Sequence, residues 1–517
     1  MNPLTIAEVL ATQARLQPNR TGARDLERRL TFREWNARAN RLANALGGLG
    51  LVRGDRVAVL AYNRLEWAEI YAAAAKAALV VVPINFRLVA PEIRFILEDS
   101  GAAALVVEEA LRGPVDELGD VRDLPTDRLV HVGAGAAPQG WRDYEALVAD
   151  GSEAEPETVV DPHDPWCLMY TSGTTGHPKG AIRRHGDMAM LAMMTAIELS
   201  VGRRDEALLV MPMCHANSLN FFTTFLYCGG AVAIFSRASF DAPLCLAALA
   251  GGPTFTSLVP THYEMLLDER GGGATFGGVG KLMISSATAR VETKRAVMEM
   301  FPDAGLFELY GSTEAGWVTM LHPPEQFDHL GTVGREVVGS RPVRFLDDDG
   351  NDVPDGEPGE LYSCSPYAFG GYWKRPDKTA EAMRGGYLSV GDVGLRDADG
   401  YIRLIDRKKN VIITGGENVY PTEVEAVLGR HPAVRDVAVV GRPDDRWGER
   451  VEAAVVLREG VEMTGAELIE WSREHLAGFK RPRAVTFLDR REMPRNATGK
   501  ILHRVLRDML AGRDPRT

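Results

Sequence analysis

Lysine is scarce in this chain: of 59 basic residues only ten are lysine, so positive charge is written as arginine almost everywhere. Cysteine is sparse as well. Cys167, Cys214, Cys228, Cys245 and Cys364 form no Cys-x-x-Cys pair, and no histidine cluster joins them at metal-ligand spacing. That argues against a disulfide framework or a zinc site, and the set reads as small buried hydrophobes in a reducing compartment. Long apolar runs are missing too. The longest, residues 72–84, is broken by Lys76 and Pro83 and is too short to span a bilayer. Residues 1–17 carry Glu8 inside their apolar stretch, unlike a secretory signal, so the cytoplasm is the expected setting. An excess of positive charge is absent: the formal net charge of −12 argues against a general binder of nucleic acid or anionic membrane.

What is present is the composition of a soluble globular protein, 45% hydrophobic and 25% charged, on a chain long enough for two or more domains. Residues 56–107 alternate strand-like and helix-like patterns, with runs at 56–60, 80–82 and 104–107 separated by helical stretches. A second such region, residues 208–316, has strand candidates at 208–210, 231–234, 281–284 and 306–309, each followed by a polar loop. Alternation of this length predicts doubly wound α/β layers, with ligands at the carboxyl ends of the strands. Turn-rich residues 341–405 read as an antiparallel β subdomain. After Arg407 comes a compact α+β unit with strands at 411–413, 437–440 and 451–457 and helices at 422–428, at 466–476 and from about residue 501. The expected fold is therefore α/β. A large N-terminal domain, residues 1–407 with a β subdomain at about 335–405, precedes a small C-terminal domain, residues 408–517.

The most informative segment is Tyr170-Thr-Ser-Gly-Thr-Thr-Gly-His-Pro-Lys-Gly180. Thr171, Ser172, Thr174 and Thr175 supply hydroxyls, Gly173 and its neighbours supply freedom, and Lys179 adds a point charge, a combination suited to wrapping an anion. Lys179 is followed by Gly180, so the Gly-Lys-Ser/Thr ending of a P-loop is missing and a P-loop kinase or NTPase is disfavoured.

The segment resembles the phosphate loop of the adenylate-forming superfamily, the AMP-dependent synthetases and ligases, and further motifs follow in family order along nearly the whole chain. Glu308-Leu-Tyr-Gly-Ser-Thr-Glu314 matches a second signature, Gly391-Asp392 a third, Asp406-Arg407-Lys408-Lys409 a hinge, and Pro494-Arg-Asn-Ala-Thr-Gly-Lys500 the last. The resemblance implies a fatty-acyl or aryl-CoA ligase using ATP, Mg²⁺ and coenzyme A, whose C-terminal domain is mobile about Lys408. It implies that Thr171, Ser172, Gly173, Thr174, Thr175 and Lys179 bind ATP and AMP through the phosphate loop, that Glu308, Leu309, Tyr310, Gly311, Ser312 and Thr313 also bind the nucleotide, and that Thr313 contacts its phosphate. Ser286, Ala287 and Thr288 would lie at adenine, and Asp392 and Arg407 at the nucleotide. Glu314 would hold Mg²⁺, and Lys500, Glu314 and Thr171 form the implied catalytic set. Val390 stands where threonine is common, and Thr288 where proline is frequent. Gly415, Gly416 and Glu417 belong to the implied thioester step, and His215, Asn217 and Trp317 to the acyl pocket.

Five of the ten lysines, Lys179, Lys408, Lys409, Lys480 and Lys500, fall in these motifs, consistent with places where a compact ammonium cannot be replaced by a planar guanidinium. The pocket stretches are mostly apolar, which favours a hydrophobic acid, whether fatty, aryl or polycyclic. No convincing Ser/His/Asp or Cys/His set stands out, as expected if no protein nucleophile is needed. Two alternatives stay open: an acyl-adenylate ligase that loads a carrier protein, and a non-catalytic nucleotide or acyl-CoA sensor. A homodimer is compatible with either.

Overall fold

Short β-branched runs alternating with helices build two largely parallel sheets in the first of two compact units. The computed structural model describes residues 5–119, 124–171, 178–270, 273–287, 289–415, 417–495, 499 and 501–512. The first unit is Met1–Pro342 with Ser363–Leu388; the second is Val343–Tyr362 with Ser389–Thr517.

In the first unit one sheet runs, in spatial order, Arg142–Asp143, Leu129–Val132, Ala102–Glu108, Arg56–Leu60, Val80–Pro83, Pro165–Thr171 and Lys179–Arg184. Every neighbouring pair is parallel except the last, a hairpin in which Thr171 faces Lys179. Val80–Pro83 is buried along its whole length, as in a parallel strand covered on both faces. The second sheet orders Arg335–Glu336, Gly316–Leu321, Gly305–Ser312, Lys281–Ser285, Phe255–Leu258, Glu206–Leu209, Ala231–Ile234, Thr21–Arg24 and Arg29–Thr31. It is parallel from Gly305–Ser312 to Thr21–Arg24, and Gly316–Leu321 reverses it in a second hairpin. The α/β layering expected from the sequence is present.

Helix Glu66–Lys76 is buried on every side, including its charges. Each charge has a partner: Glu66 with Arg28 and Arg64 at 2.8 Å, Glu69 with Arg38 at 2.7 Å, and Lys76 with Glu155 at 2.6 Å. Buried ions are tolerated when paired in this way. The sequence pattern extends this helix to Ala78, but Ala78 takes φ +52°, and a left-handed residue ends the helix before strand Val80–Pro83.

In the second unit Asp392–Arg396 pairs antiparallel with Ile402–Arg407, and Gly359 and Glu360 pair with the former strand. A further sheet places Glu417–Val419, Ile412–Thr414, Gly448–Leu457 and Val434–Asp444 side by side, with Ala484–Phe487 parallel to Gly448–Leu457. The alternation of its long hairpin sends Val437, Val439, Ala453 and Val455 into one core and Ala438, Val440, Ala454 and Val456 into another. Helices Pro421–Leu428, Gly465–Ser472 and His503–Ala511 supply apolar residues to these two cores. Among the described residues no helix is long and apolar enough to cross a membrane.

Candidate active site

The two hairpins carry the central feature of the first unit. Strands Pro165–Thr171 and Lys179–Arg184 present a loop whose residues Ser172, Gly173, Thr174 and Thr175 lie outside the described residues. In the other hairpin Ser312 faces Gly316, and the Ala315 amide donates to the Ser312 hydroxyl over 2.9 Å, closing a tight tip around Thr313 and Glu314. Gly316 sits at φ +70°, where a Cβ would approach Tyr367 and Leu191 to within 2.9 Å, so a side chain there is excluded on two counts. The tips belong to different sheets, yet the Thr171 hydroxyl donates to Glu314 Oε1 over 3.2 Å.

Tyr372 donates to the same oxygen over 2.9 Å, and the Phe369 amide donates to the Glu314 carbonyl over 2.8 Å. Glu314 is thus fixed at both ends of its residue, while Oε2 has no partner among the described residues. Lys179 Nζ lies 4.3 Å from the centre of the Tyr372 ring, a cation–π contact, and among the described residues no carboxylate pairs with it. Behind the tip, the buried Arg183 donates from Nη1 to the Thr313 carbonyl over 3.2 Å. A carboxylate, an ammonium and hydroxyls converging at strand ends form a site for a cation-bound polyphosphate. No group of three or more His, Cys, Asp or Glu is placed to hold a metal among the described residues. One carboxylate with the remaining positions filled by substrate phosphates and water is the Mg²⁺ arrangement that fits such a donor set.

Strand Gly305–Ser312 changes character along its length. Glu308 and Leu309 face the interior, and Glu308 forms a short ion pair with Lys294, which also donates to Gln326 Oε1 over 3.1 Å. This leaves their backbone rather than their side chains for any ligand. Tyr310, Gly311, Ser312 and Thr313 are partly exposed. At the end of the neighbouring strand Lys281–Ser285, Ser286 takes φ +68° and both Ser286 and Ala287 are exposed; Thr288 lies outside the described residues. Asn217 donates from Nδ2 to Ser257 at 3.0 Å and to Ser285 at 2.8 Å, tying a helix start to two strand ends.

His215 is the N-cap of helix Ala216–Cys228, and burial pushes its pKa down to about 4, so the ring is neutral at ordinary pH. Trp317 is a core residue: its indole donates to Thr195 over 2.9 Å and its ring centre lies 5.3 Å from that of Phe221.

In the second unit Asp392 and Arg407 face each other across paired strands and form an ion pair at 2.9 Å. The Lys408 amide donates to the Gly391 carbonyl over 2.8 Å, and its ammonium meets Asp348 at 2.7 Å and Glu360 at 3.1 Å, raising its pKa. Gly415 has φ +61°, and a Cβ there would lie 2.9 Å from the Trp447 ring. Glu417 is exposed at the start of its strand; Gly416 and Lys500 lie outside the described residues. Sequence reasoning missed Tyr372 and Arg183. Nothing about a tyrosine after Gly370-Gly371, or an arginine inside a strand, marks either one.

The fold and the paired hairpins are those of enzymes that form acyl-adenylates. The structure superposes on an anthranilate CoA ligase, AuaEII, in complex with anthranoyl-AMP, with a TM-score of 0.90 and 26% identity, covering 99% of each chain. A feruloyl-CoA synthase from Amycolatopsis sp is 36% identical over 496 residues, 95% of this chain and 96% of the relative. The fatty acid–[acyl-carrier-protein] ligase ScoC from Streptomyces coeruleorubidus is 35% identical over 524 residues, 98% of this chain and 97% of the relative. The chain belongs to the AMP-binding enzyme family: residues 10–373 match the AMP-binding enzyme profile and residues 423–500 the profile of the AMP-binding enzyme C-terminal domain.

Proposed function

We propose that the chain is an ATP-dependent acid–thiol ligase that activates a hydrophobic carboxylic acid as its acyl-adenylate and transfers the acyl group to coenzyme A. The observation that carries this reading is the carboxylate of Glu314, held by Thr171 and Tyr372, whose ring also meets the ammonium of Lys179, with which no carboxylate pairs among the described residues. In the first half-reaction a substrate carboxylate oxygen attacks the α-phosphorus, the bond to the pyrophosphate oxygen breaks, and pyrophosphate leaves. Two anions must approach, so cations aimed at the reacting oxygens lower the barrier. Lys179 and the phosphate-loop hydroxyls serve the leaving phosphates. Glu314 would hold Mg²⁺, and the metal would supply charge neutralisation to the phosphates. Lys500 bridges the carboxylate and the α-phosphate. Asp392 accepts hydrogen bonds from the ribose hydroxyls, with Arg407 fixing its orientation, and Ser286 and Ala287 border adenine.

In the second half-reaction the thiol sulfur attacks the acyl carbonyl, AMP departs with the bonding pair, and the thiol proton is released. Lys408 is the proposed hinge between the residue 1–407 and residue 408–517 domains, and the loop 415–417 the element that serves the thiol. The free cysteines fit the proposed cytoplasmic setting.

A panel of short and long fatty acids, aryl acids and polycyclic acids tests the proposal through pyrophosphate release with ATP and Mg²⁺, with and without CoA. Release accompanied by the matching acyl-CoA in the mass spectrum is expected. Release without thioester would favour loading of a carrier protein, a reading supported by the likeness to the carrier-protein ligase. Silence across the panel from folded protein that binds ATP would favour the sensor, although Lys179, Glu314, Asp392 and Lys500 are all retained.

A further inference from the structure

Strand Lys179–Arg184 carries two cations on one face. Side chains alternate along a strand, so Lys179 and Arg183 point the same way, about 13 Å apart along it. Lys179 stands at the loop end, against the Tyr372 ring, whereas Arg183 lies opposite Cys167 and is only 2% exposed.

Arg183 is a cation without an ion pair. Its Nη1 donates to the Thr313 carbonyl over 3.2 Å and its Nε to the Met188 sulfur over 3.4 Å. Its buried Nη2 has no partner among the described residues. Asp187 and Glu314 act on it through space, but among the described residues no carboxylate pairs with it. A guanidinium keeps its proton in proteins, so the charge is present, and burying it unpaired is destabilising. Stability alone does not account for an arginine here, since an apolar side chain of similar volume fills the space without that penalty.

Its one strong contact falls on the tip that bears Glu314. The peptide between Thr313 and Glu314 is trans, so its carbonyl and its amide hydrogen point in opposite directions. With the carbonyl drawn to Arg183, the Glu314 amide is directed away from that buried guanidinium, and it has no acceptor among the described residues. A free amide at a hairpin tip is a donor for a phosphate oxygen. A fixed charge on the far side of the same peptide acts on that anion without reorganising.

We propose that Arg183 is a positioning residue for the nucleotide phosphates: from inside the core it fixes the Thr313–Glu314 peptide with the Glu314 amide presented to them, and its unpaired charge is offset when they bind. This rests on the ligase reading above and deepens it, giving the phosphate site a cation that never touches ATP. The protein without nucleotide therefore carries a destabilising charge that ATP relieves, as expected of a residue kept for binding rather than for stability.

Arg183→Met, Arg183→Gln and Arg183→Lys in the full-length chain separate the donor from the charge. Two quantities are read: the melting temperature without ligand, and the dissociation constant for ATP by calorimetry with Mg²⁺ and no acid. Neither depends on turnover. Arg183→Met should melt at or above the wild type yet bind ATP about tenfold more weakly, with a smaller loss for AMP, which brings less charge. Arg183→Gln keeps a donor without the charge and should fall between, and Arg183→Lys should recover most of the affinity. An Arg183→Met protein that melts well below the wild type with unchanged ATP affinity makes the arginine a plain core anchor and overturns the inference. Equal losses of ATP and AMP affinity in all three variants overturn it as well, because charge then has no part. Should Arg183→Met not fold, Arg183→Gln against Arg183→Lys carries the test: weaker ATP binding by the uncharged variant is expected, and equal binding overturns the inference. Weakened ATP binding by the variants of a chain that releases no pyrophosphate with any acid leaves this inference standing while the ligase reading fails. Unchanged ATP affinity in an active ligase does the reverse.

Discussion

The hydroxyl of Tyr372 donates to Glu314 Oε1 over 2.9 Å while the face of the same ring lies 4.3 Å from Lys179 Nζ. One side chain therefore touches both a carboxylate and an ammonium that are carried on different hairpins. Tyr372→Phe keeps the ring and removes the hydrogen bond, and should raise KM for Mg·ATP several-fold at a stability cost of about 1 kcal/mol. Glu314→Gln should be far more damaging, lowering kcat by about 10²-fold or more. ATP–pyrophosphate exchange measured against Mg²⁺ concentration distinguishes the two effects; equal effects from both variants would count against the assigned role of Glu314.

Lys500→Ala should abolish adenylate formation yet spare thioester formation from supplied acyl-adenylate. The two half-reactions are assayed separately, by pyrophosphate exchange and by acyl-CoA yield from synthetic acyl-AMP. Loss of both in a folded variant contradicts the role given to this lysine.

Gly415→Val introduces a Cβ into a left-handed residue and against the Trp447 ring. The strain is about 1–2 kcal/mol for the backbone alone, and the loop must shift. Acyl-CoA formation should fall by about tenfold or more, with a smaller loss in pyrophosphate exchange. An equal loss in both half-reactions would remove this loop from the thioester step.

Lys294→Met leaves the Glu308 carboxylate buried without its cation. Breaking a buried pair in this way costs about 3–5 kcal/mol, far more than loss of an exposed pair. The urea midpoint should drop accordingly, and adding Glu308→Leu to the same chain should restore part of the loss.

A pH dependence follows from His322 and Glu198, 2.9 Å apart. The hydrogen bond that His322 donates to Glu198 raises the pKa of His322, so its contribution is complete below the usual 6.5 and is lost as pH rises through the raised value. Burial pushes Glu198 up, but hydrogen bonds from His322 and the Val338 amide outweigh it, so Glu198 titrates below 4.5 and contributes above that pH. The pair is strongest between these limits. His322→Gln should destabilise the protein by up to about 1 kcal/mol near pH 5.5 and by less near pH 8.5, as read from thermal melts.

Much of the first unit was legible because its strands are short β-branched runs with polar loops at one end. The runs at 56–60, 208–210 and 231–234 are strands within a residue or two of where the pattern puts them. Hairpin reversals were not legible. Strand Gly316–Leu321, which carries Trp317, is buried at every position and pairs with the strand before it. Period-2 alternation marks a strand with one wet face, and a strand covered on both sides carries no such mark. Long-range pairings were equally hidden. Glu308 meets Lys294, and Tyr372 meets Glu314, through sheet register that no local spacing encodes.

The order of strand ends along the larger sheet has a consequence for how such a protein changes over generations. The hairpin that presents Glu314 is locked to a second sheet through Thr171, so alterations there disturb two structures at once. His262, His215 and Phe240 each occupy a separate connection after its own strand. A replacement in one of those connections leaves the turn that bears Glu314 untouched, so the chain can change there one connection at a time without disturbing the junction of the two sheets.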